Sequence, residues 1–257
     1  MKRTKISISL SDYPEEFHPF FRGASFYDSS CSPEARVLFI DKDGGYFLKC
    51  APKGQLEKEA LLDGYFHRLG LSAPVLSYLS KEEDWLLTER VRGEDATHAL
   101  YLADPARLAE TMGTLLRTLH ETDGQNCPVP DRLQSYFALA EQNYLAHVYD
   151  LSFGNFPSAE YAYCVLRDGK SLLKNDTLIH GDFCLPNFLM DDWRFEGFID
   201  LGNGGIGDRH IDLFWGAWTL CYNLKTDAYR ERFFDAYGKD RIDADALRVV
   251  AAAEVFG

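Results

Sequence analysis

The amino-acid pattern changes character once along the chain, near residues 90–93. Before this point, short β-rich runs predict strands at about residues 6–10, 23–27, 36–40, 46–50, 75–79 and 85–90. A single helix interrupts them at about residues 55–69 and ends at Gly70, as a glycine C-cap would end it. The pattern therefore predicts an α+β fold that begins with a small β-rich lobe.

Beyond residue 93 the apolar residues recur mainly at helical spacing. Leu108, Met112 and Leu116 follow this spacing, and so do Leu133, Phe137 and Ala140. Strand-like runs return only at residues 178–180 and 195–201, and the chain finishes in predicted helices from about residue 211. We expect residues 1–92 to form the β-rich N-lobe and residues 93–257 a larger, mostly helical C-lobe.

Composition narrows the class of function. The 257 residues include 40 acidic and 27 basic side chains, giving a net charge of −13. This balance argues against a nucleic-acid partner, because nothing would neutralise a phosphate backbone. A negative surface suits a cationic small substrate, but it is found more commonly as an aid to solubility.

Cellular context is predicted from what the sequence contains. The six cysteines include no Cys-x-x-Cys pair, so neither a zinc site nor a disulfide framework is expected. The apolar stretch near the start is too short for a signal-peptide core, and no run reaches the length of a membrane span. We expect a reduced, cytoplasmic protein without a membrane partner.

The most informative segment is His-Gly-Asp-Phe-Cys-Leu-Pro-Asn at residues 180–187, followed by Asp200. Phosphoryl transfer needs a carboxylate to orient the attacking hydroxyl and oxygen ligands to hold Mg²⁺. Asp182 supplies the first, and Asn187 and Asp200 supply the second if a turn at residues 190–194 brings Asp200 back beside Asn187. Each residue alone could simply shape a turn or cap a helix. The set, in this order and spacing, favours a kinase site.

The β-rich lobe offers a second pair of residues. Lys49 ends the apolar run Tyr46-Phe47-Leu48, a position from which it could reach the phosphates of a nucleotide. On a helical wheel Glu59 lies on the apolar face of the following helix, whereas Glu57 faces solvent. Since a carboxylate on an apolar face is costly unless it is paired, we predict an ion pair between Lys49 and Glu59.

These residues together resemble the aminoglycoside phosphotransferase family, most closely its 3'-phosphotransferase branch. Further matches are the segments at residues 30–37, 86–93, 116–120 with Cys127-Pro128, 194–197 and 198–212. The resemblance implies a protein-kinase-like bilobal fold, a phosphoryl transfer to an alcohol group, and ATP or GTP as co-substrate with Mg²⁺. It also implies antibiotic resistance as the biological role.

The resemblance also implies roles for individual residues. Ser32 would contact a phosphate, and backbone groups of Arg90 and Val91 would meet the adenine. His180 would shape the catalytic loop rather than bind metal. Asp208 and Asp212 would fix that loop or cap the helix that follows it.

The expected acceptor site departs from the family pattern. The loop at residues 150–160 carries only Asp150 and Glu160 as acids, and its aromatic residues either stack on a substrate or pack against neighbouring helices. At the C-terminus, Glu254 and Phe256 match the family's acidic and aromatic residues, but Ala253 and Gly257 do not. Trp218 stands where the branch often has an arginine near the substrate.

Three functions remain open at this stage. The first is a small-molecule kinase with an aminoglycoside acceptor, acting as a monomer or weak dimer. The second is the same chemistry on another hydroxylated metabolite or antibiotic. The third is a nucleotide-binding protein without transferase activity. A protein kinase is disfavoured, because no Asp-Phe-Gly followed by an activation segment and Ala-Pro-Glu is present.

Overall fold

The computed structural model describes residues 3–31 and 35–257. The strands are β1 (Thr4–Ile6), β2 (Ser25–Asp28), β3 (Arg36–Asp41), β4 (Tyr46–Pro52), β5 (Val75–Ser80), β6 (Glu83–Glu89), β7 (Glu94–Asp95), β8 (Thr177–Ile179), β9 (Phe188–Asp191), β10 (Arg194–Phe198) and β11 (Gly205–Gly207). The helices are α1 (His18–Phe21), α2 (Glu57–Arg68), α3 (Ala99–Leu102), α4 (Pro105–His120), α5 (Arg132–Leu145), α6 (Ala159–Gly169), α7 (Arg209–Leu224), α8 (Arg230–Tyr237) and α9 (Ala244–Glu254). The predicted order, a strand-rich region followed by a helical one, is confirmed.

Residue contacts divide the chain into two compact units. The first contains the described residues up to Asp95 together with Phe188–Gly202, and the second contains Ala96–Asn187 and Asn203–Gly257. The strand-rich unit thus also includes residues 188–202, an assignment that the linear sequence pattern does not contain. This hairpin joins it because β9 pairs with β7.

The first unit is built on an antiparallel sheet, which among the described residues has the order β1-β2-β3-β4-β6-β5. Strands β3 and β4 form a hairpin, and Asp43, Gly44 and Gly45 take positive φ angles in its turn. Side chains alternate across each strand. In β4, Leu48 and Cys50 enter an apolar core with Phe17 and other residues, so Lys49 points to the opposite face of the sheet.

The strand predicted at residues 6–10 is wrong. Strand β1 ends at Ile6, and a 3-10 turn follows at Leu10–Asp12. The alternation of apolar residues suggested a longer strand, but the polar side chains bond locally here. Ser9 Oγ lies 2.8 Å from Ser11 Oγ, and the Asp12 N–H donates to the Ser9 carbonyl. Such short-range bonds compete with the ladder of a sheet.

Helix α2 begins where Asp84 accepts the Leu56 N–H at 3.0 Å. It ends, as predicted, at Gly70, which has φ +75° and donates its N–H to the His67 carbonyl. The second sheet of this unit has the order β10-β9-β7. Its β9–β10 turn places Asp192 and Trp193 at positive φ, so the hairpin predicted at residues 190–194 is confirmed.

The second unit packs its helices around one large apolar cluster, to which α5, α6, α7 and α9 contribute. Helices α4 and α8 approach closely at Gly113, where a Cβ atom would lie 2.4 Å from the Phe233 carbonyl oxygen. Aspartate or serine side chains cap the helices, including Asp131 on α5, Ser158 on α6 and Asp243 on α9. Within residues 3–31 and 35–257, no helix has the length and apolar character needed to cross a membrane.

Candidate functional site

In the first unit, Lys49 joins two carboxylates. Its Nζ lies 2.9 and 2.8 Å from the two Glu59 oxygens and 2.7 Å from Asp200 Oδ1. Glu59 is buried on the same face of α2 as Leu62 and Phe66, while Glu57 is exposed. The predicted Lys49–Glu59 ion pair is confirmed, and Lys49, Glu59 and Asp200 are called the Lys49 cluster below.

The charges of this cluster depend on each other. Burial alone would lower the pKa of Lys49, but the carboxylates of Glu59 and Asp200 outweigh burial and raise it. Burial also raises the pKa of Glu59, and the nearby Asp200 charge adds to this against the opposing effect of Lys49. One turn along α2, burial and the Glu59 charge raise the pKa of Asp63 well above its usual range. Lys49 is therefore a firmly protonated cation that holds two acids.

Asp200 lies just beyond β10 with φ +62°. Its side chain is 52% exposed even though Oδ1 bonds to Lys49. Gly202 passes close to Glu59, since a Cβ atom there would lie 3.6 Å from Glu59 Oε2. The segment is thus held against α2 while the Asp200 carboxylate reaches solvent.

Two phenylalanines share the sheet face of Lys49, and sequence reasoning missed them. Phe47 lies two residues before Lys49 and therefore points to the same side. Phe39 is its cross-strand partner, with ring centroids 5.0 Å apart. The period-two alternation of β4 was a usable signal for this placement. The face combines a cation with aromatic surface.

Arg90 and Val91, the residues expected to meet the adenine, directly follow β6 in this unit. The Arg90 N–H donates to the Gly45 carbonyl at 3.0 Å, which leaves only the Arg90 carbonyl to bond a nucleobase from that residue's backbone. Val91 is buried. Gly93 has φ +82°, and a Cβ atom there would lie 2.2 Å from the Met190 carbonyl oxygen. Ser32, the predicted phosphate contact, lies outside the described residues.

In the second unit, Asn187 and Asp182 are hydrogen-bonded to each other in the loop at residues 180–187, the predicted catalytic loop. Asn187 Nδ2 donates to the Asp182 carbonyl oxygen at 2.9 Å and to Asp182 Oδ2 at 2.8 Å. These bonds use the amide nitrogen and orient a partly exposed Asp182 carboxylate. The Asn187 Oδ1 oxygen remains the atom suited to a cation. A hard oxygen donor of this kind fits Mg²⁺.

Asp212 fixes the backbone of this loop. Its carboxylate accepts the N–H groups of His180 at 2.8 Å and Gly181 at 2.7 Å, and His120 Nε2 lies 3.1 Å away. His180 Nδ1 in turn accepts the Asp182 N–H at 3.3 Å. The loop-fixing role expected for Asp212 and the loop-shaping role expected for His180 are confirmed.

Asp208 has the other expected role. Its side chain accepts the His210 N–H at 2.8 Å as the N-cap of α7, and it also accepts the Lys174 N–H at 2.7 Å. Burial would raise its pKa, but these bonds, together with the His210 charge, lower it. Asp208 therefore stays ionised and anchors the start of α7.

Sequence reasoning missed Arg132, which holds the opposite side of the loop. Its Nε donates to the Asn203 carbonyl at 2.8 Å, and the guanidinium is buried. That same carbonyl would lie 1.9 Å from a Cβ atom at Gly181, whose φ is +84°. Only glycine fits there, because both the space and the backbone angle exclude a side chain. No local motif marks Arg132, since its partner lies 71 residues away.

Among the acceptor candidates, Glu254 has the most unusual environment. It is 5% exposed, and its Oε1 accepts the Tyr136 hydroxyl at 2.7 Å and the Trp215 indole N–H at 3.2 Å. Burial raises the pKa of Glu254 to about 7, against the lowering effect of both donors and Arg132. Near neutral pH this acid therefore exchanges between charged and uncharged forms.

The other acceptor candidates are placed differently. Asp150 is exposed and caps a 3-10 turn at Leu151–Phe153, and Glu160 is exposed in the first turn of α6. Phe256 is fully buried in the core, so an acceptor contact through that side chain stays a prediction that its burial does not favour. Phe153 packs against Trp215 and Trp218, which supports the packing interpretation of the loop aromatics.

Within the described parts of the chain, no group of three or more His, Cys, Asp or Glu side chains could hold a metal ion. Magnesium in kinases is commonly held by one or two protein oxygens plus the phosphates of the substrate. The second unit offers one such oxygen, Asn187 Oδ1, and the first unit offers the partly solvent-exposed Asp200 carboxylate.

Comparison with known proteins identifies the family. Residues 28–250 match the profile of APH, the phosphotransferase enzyme family. A Lactococcus lactis protein named probable aminoglycoside 3'-phosphotransferase is 48% identical over 98% of both chains. An aminoglycoside 3'-phosphotransferase of Streptomyces fradiae is 30% identical over 88% of both chains.

Solved structures agree on the fold. The crystal structure of an aminoglycoside 3'-phosphotransferase of type VIII has a TM-score of 0.72 at 23% identity and covers 96% of both chains. APH(3'')-Id from Streptomyces rimosus, in complex with ADP and streptomycin, has a TM-score of 0.70 at 23% identity, covering 96% of this chain and 95% of that one. The predicted kinase-like fold is confirmed, and the chain is an enzyme that belongs to the APH phosphotransferase family.

Proposed function

We propose that this protein transfers the γ-phosphoryl group of ATP or GTP to a hydroxyl group of an aminoglycoside in a Mg²⁺-dependent reaction. The observation that supports it most is the orientation of Asp182 by Asn187 in a loop whose backbone Asp212 fixes. A general base must be held in place before the substrate arrives, and these bonds supply that preorganisation.

The chemical step needs one proton acceptor. The acceptor hydroxyl oxygen forms a bond to the γ-phosphorus, and the bond from that phosphorus to the oxygen bridging to the β-phosphate breaks. The hydroxyl proton passes to the Asp182 carboxylate, and the nucleoside diphosphate carries away the bridging oxygen. Asn187 keeps the carboxylate directed while it takes the proton.

The nucleotide is assigned to the residues that sequence and geometry both favour. Lys49, held by Glu59, pairs with the phosphates, while the Arg90 carbonyl and the Val91 backbone meet the base. The partly exposed ring of Phe47 offers aromatic surface for a base, whereas the buried ring of Phe39 is covered by the Arg3 guanidinium at 3.8 Å. Ser32 remains the proposed phosphate contact. As the sequence pattern predicts, Asn187 and Asp200 would supply oxygen ligands for Mg²⁺, which would neutralise charge on the phosphates.

The proposed class of acceptor, an aminoglycoside, is supported by the names of relatives and by the buried carboxylate of Glu254. Aminoglycosides carry ammonium groups, and a buried carboxylate gains most from a cationic partner. The exposed acids Asp150 and Glu160 would add weaker, solvent-screened attraction. Since the loop at residues 150–160 has only these two acids, a second candidate is the same transfer to a less charged hydroxylated acceptor.

The test is ADP or GDP release in the presence of Mg²⁺ and a panel of aminoglycosides, with other hydroxylated amines included. Wild-type protein should release nucleoside diphosphate only with an acceptor. Asp182→Ala should lower the rate by roughly 10²–10⁴-fold, because a positioned general base contributes that much. The fold should survive, since the Asp182 side chain is partly exposed.

A matched control is Asp168→Ala, which removes an exposed aspartate from α6 in the same unit. It should keep the wild-type rate. Transfer at the wild-type rate by Asp182→Ala would exclude Asp182 as the base. Release that requires a non-aminoglycoside acceptor, without protection of a susceptible bacterial host against kanamycin, would favour the second candidate.

A further inference from the structure

Four aromatic side chains form a continuous cluster in the second unit. Trp215, Trp218 and Tyr222 lie on one face of α7, and Phe153 joins them from the loop before α6. The centroid of the Phe153 ring lies 5.6 Å from that of Trp215 and 5.8 Å from that of Trp218. These four residues are called the α7 aromatic cluster.

The cluster lies at the edge of the core, because Trp215 and Phe153 pack against the core while Trp218 and Tyr222 extend beyond it. Trp215, Trp218 and Phe153 are only partly buried, and Tyr222 is 57% exposed. Trp218 and Tyr222 stack in parallel at 4.9 Å with an angle of 11° between their planes. Exposed aromatic surface costs free energy in water unless a binding partner covers it.

The cluster adjoins the residues assigned to the reaction. Trp215 donates its indole N–H to the buried Glu254 carboxylate. Thr219, next to Trp218 on α7, accepts the Leu185 N–H of the catalytic loop at 3.2 Å. Glu254 is also close enough to Asp182 for the two carboxylates to repel each other. Trp215 therefore links the cluster to Glu254, and Thr219 links the same helix to the loop that carries Asp182.

An ammonium group already lies on one of these rings. Lys225, the residue after α7, places its Nζ 4.1 Å from the centroid of the Tyr222 ring. Cations are attracted to the negative face of aromatic rings within about 6 Å, and most strongly to tryptophan. The outer end of the cluster thus binds a cation that the protein supplies itself.

We propose that the inner part of the cluster, centred on Trp218, is an acceptor subsite for an ammonium group, next to a first ammonium paired with Glu254. This rests on the proposed function, since it needs a polyamine acceptor. The aromatic faces supply attraction without a carboxylate, which fits a chain whose acceptor loop carries few acids. Trp218, Phe153 and Glu254 would then set acceptor specificity.

The experiment measures kanamycin binding by calorimetry without nucleotide, so that it does not depend on transfer. Trp218→Leu keeps an apolar side chain but removes the ring, and it should weaken binding by about tenfold. Trp218→Phe keeps an aromatic face and should stay within about threefold of wild type. Nucleotide affinity and thermal unfolding should be unchanged in both, which separates a lost subsite from a damaged fold.

Leu145→Ala is the control, because Leu145 is 70% exposed on α5 and lies outside the cluster. It should bind kanamycin as the wild type does. Wild-type binding and turnover combined with Trp218→Leu binding within twofold of wild type would overturn the subsite and leave the proposed function standing. A wild-type protein that neither binds nor phosphorylates kanamycin would overturn this acceptor class and the subsite with it.

Discussion

Two buried glutamates, one in each unit, have opposite kinds of hydrogen-bond partner. Glu59 faces a cation, since Lys49 Nζ lies within 2.9 Å of both its oxygens. Among the residues that the structure describes, Glu254 receives only neutral donors at short range, the Tyr136 hydroxyl and the Trp215 indole. The two side chains are almost equally covered, at 7% and 5% exposure.

The two carboxylates differ in whether an adjacent cation among the described residues balances the negative charge. Glu59 has its counter-ion built in, so its task is to hold Lys49 in position. Glu254 lacks such a close cation, and burial places its pKa at about 7. A buried carboxylate of this kind is stabilised as an anion when a cationic ligand arrives. The Glu59 carboxylate therefore has its cation within the first unit, whereas in the proposed function a cationic acceptor would supply one for Glu254.

The largest expected effect comes from breaking the built-in pair. Lys49→Met should lower kcat/KM by roughly 10²–10³-fold, because a preorganised charge on the transferring group is lost and Glu59 is left without its cation. The measurement is steady-state kinetics with varied nucleotide. Lys53→Met, an exposed lysine in the turn after β4, is the control and should be unaffected. A loss below tenfold would contradict the role of Lys49.

The next largest effect is on how the free energy of unfolding changes with pH. The pKa of Glu254 is about 7 in the folded protein, above its ordinary value of 4.5. The stability that the protonated group contributes is present below about pH 4.5 and is lost as pH rises through 7. The difference corresponds to about 3 kcal/mol. About 2 kcal/mol of this difference falls between pH 5.5 and pH 8, so urea unfolding at these two pH values should show that fall in wild type and its reduction in Glu254→Gln.

Acceptor affinity should follow the same ionisation in the opposite direction. Since only the anion pairs with an ammonium, KM for the aminoglycoside should fall as pH rises from 6 to 8. Glu254→Gln should raise that KM by roughly 10–100-fold, the value of a charge-assisted hydrogen bond, and leave the KM for nucleotide unchanged. Equal effects on both substrates would show that Glu254 acts only through the fold.

The smallest effect concerns one donor to Glu254. Trp215→Phe removes the indole N–H at 3.2 Å but keeps a ring in the cluster. Because that bond lowers the pKa of Glu254, its loss should raise the midpoint of the acceptor pH profile by about half a pH unit. An unchanged midpoint would mean that the Tyr136 donor dominates, and a lower one would contradict this role of the indole.

Much of the first unit was accessible to sequence reasoning because its signals are local. The Lys49–Glu59 pair followed from the end of one strand and from the helical position of Glu59, only ten residues away. In the second unit, the roles of Asp208 and Asp212 were implied by the family resemblance, and their hydrogen bonds agree with them. The segment near Leu10 was misassigned because bonds among Ser9, Ser11 and Asp12 override an alternating pattern.

The environment of Glu254 was not accessible in this way. Its donors lie 118 and 39 residues away, so its burial and raised pKa depend on how α5, α7 and α9 pack. Arg132 was missed for the same reason, since a lone arginine at the start of a helix has no signature until Asn203 is placed beside it. Phe256 looked like a substrate residue, and only the packed core reveals that it is buried.

The most direct test of the account is the mass of kanamycin after incubation with this protein, ATP and Mg²⁺. The account predicts an acceptor heavier by one phosphoryl group, formed by the wild type and the Asp168→Ala control and absent with Asp182→Ala. An unmodified acceptor with every aminoglycoside tried, or the same phosphorylated product from Asp182→Ala, would contradict it.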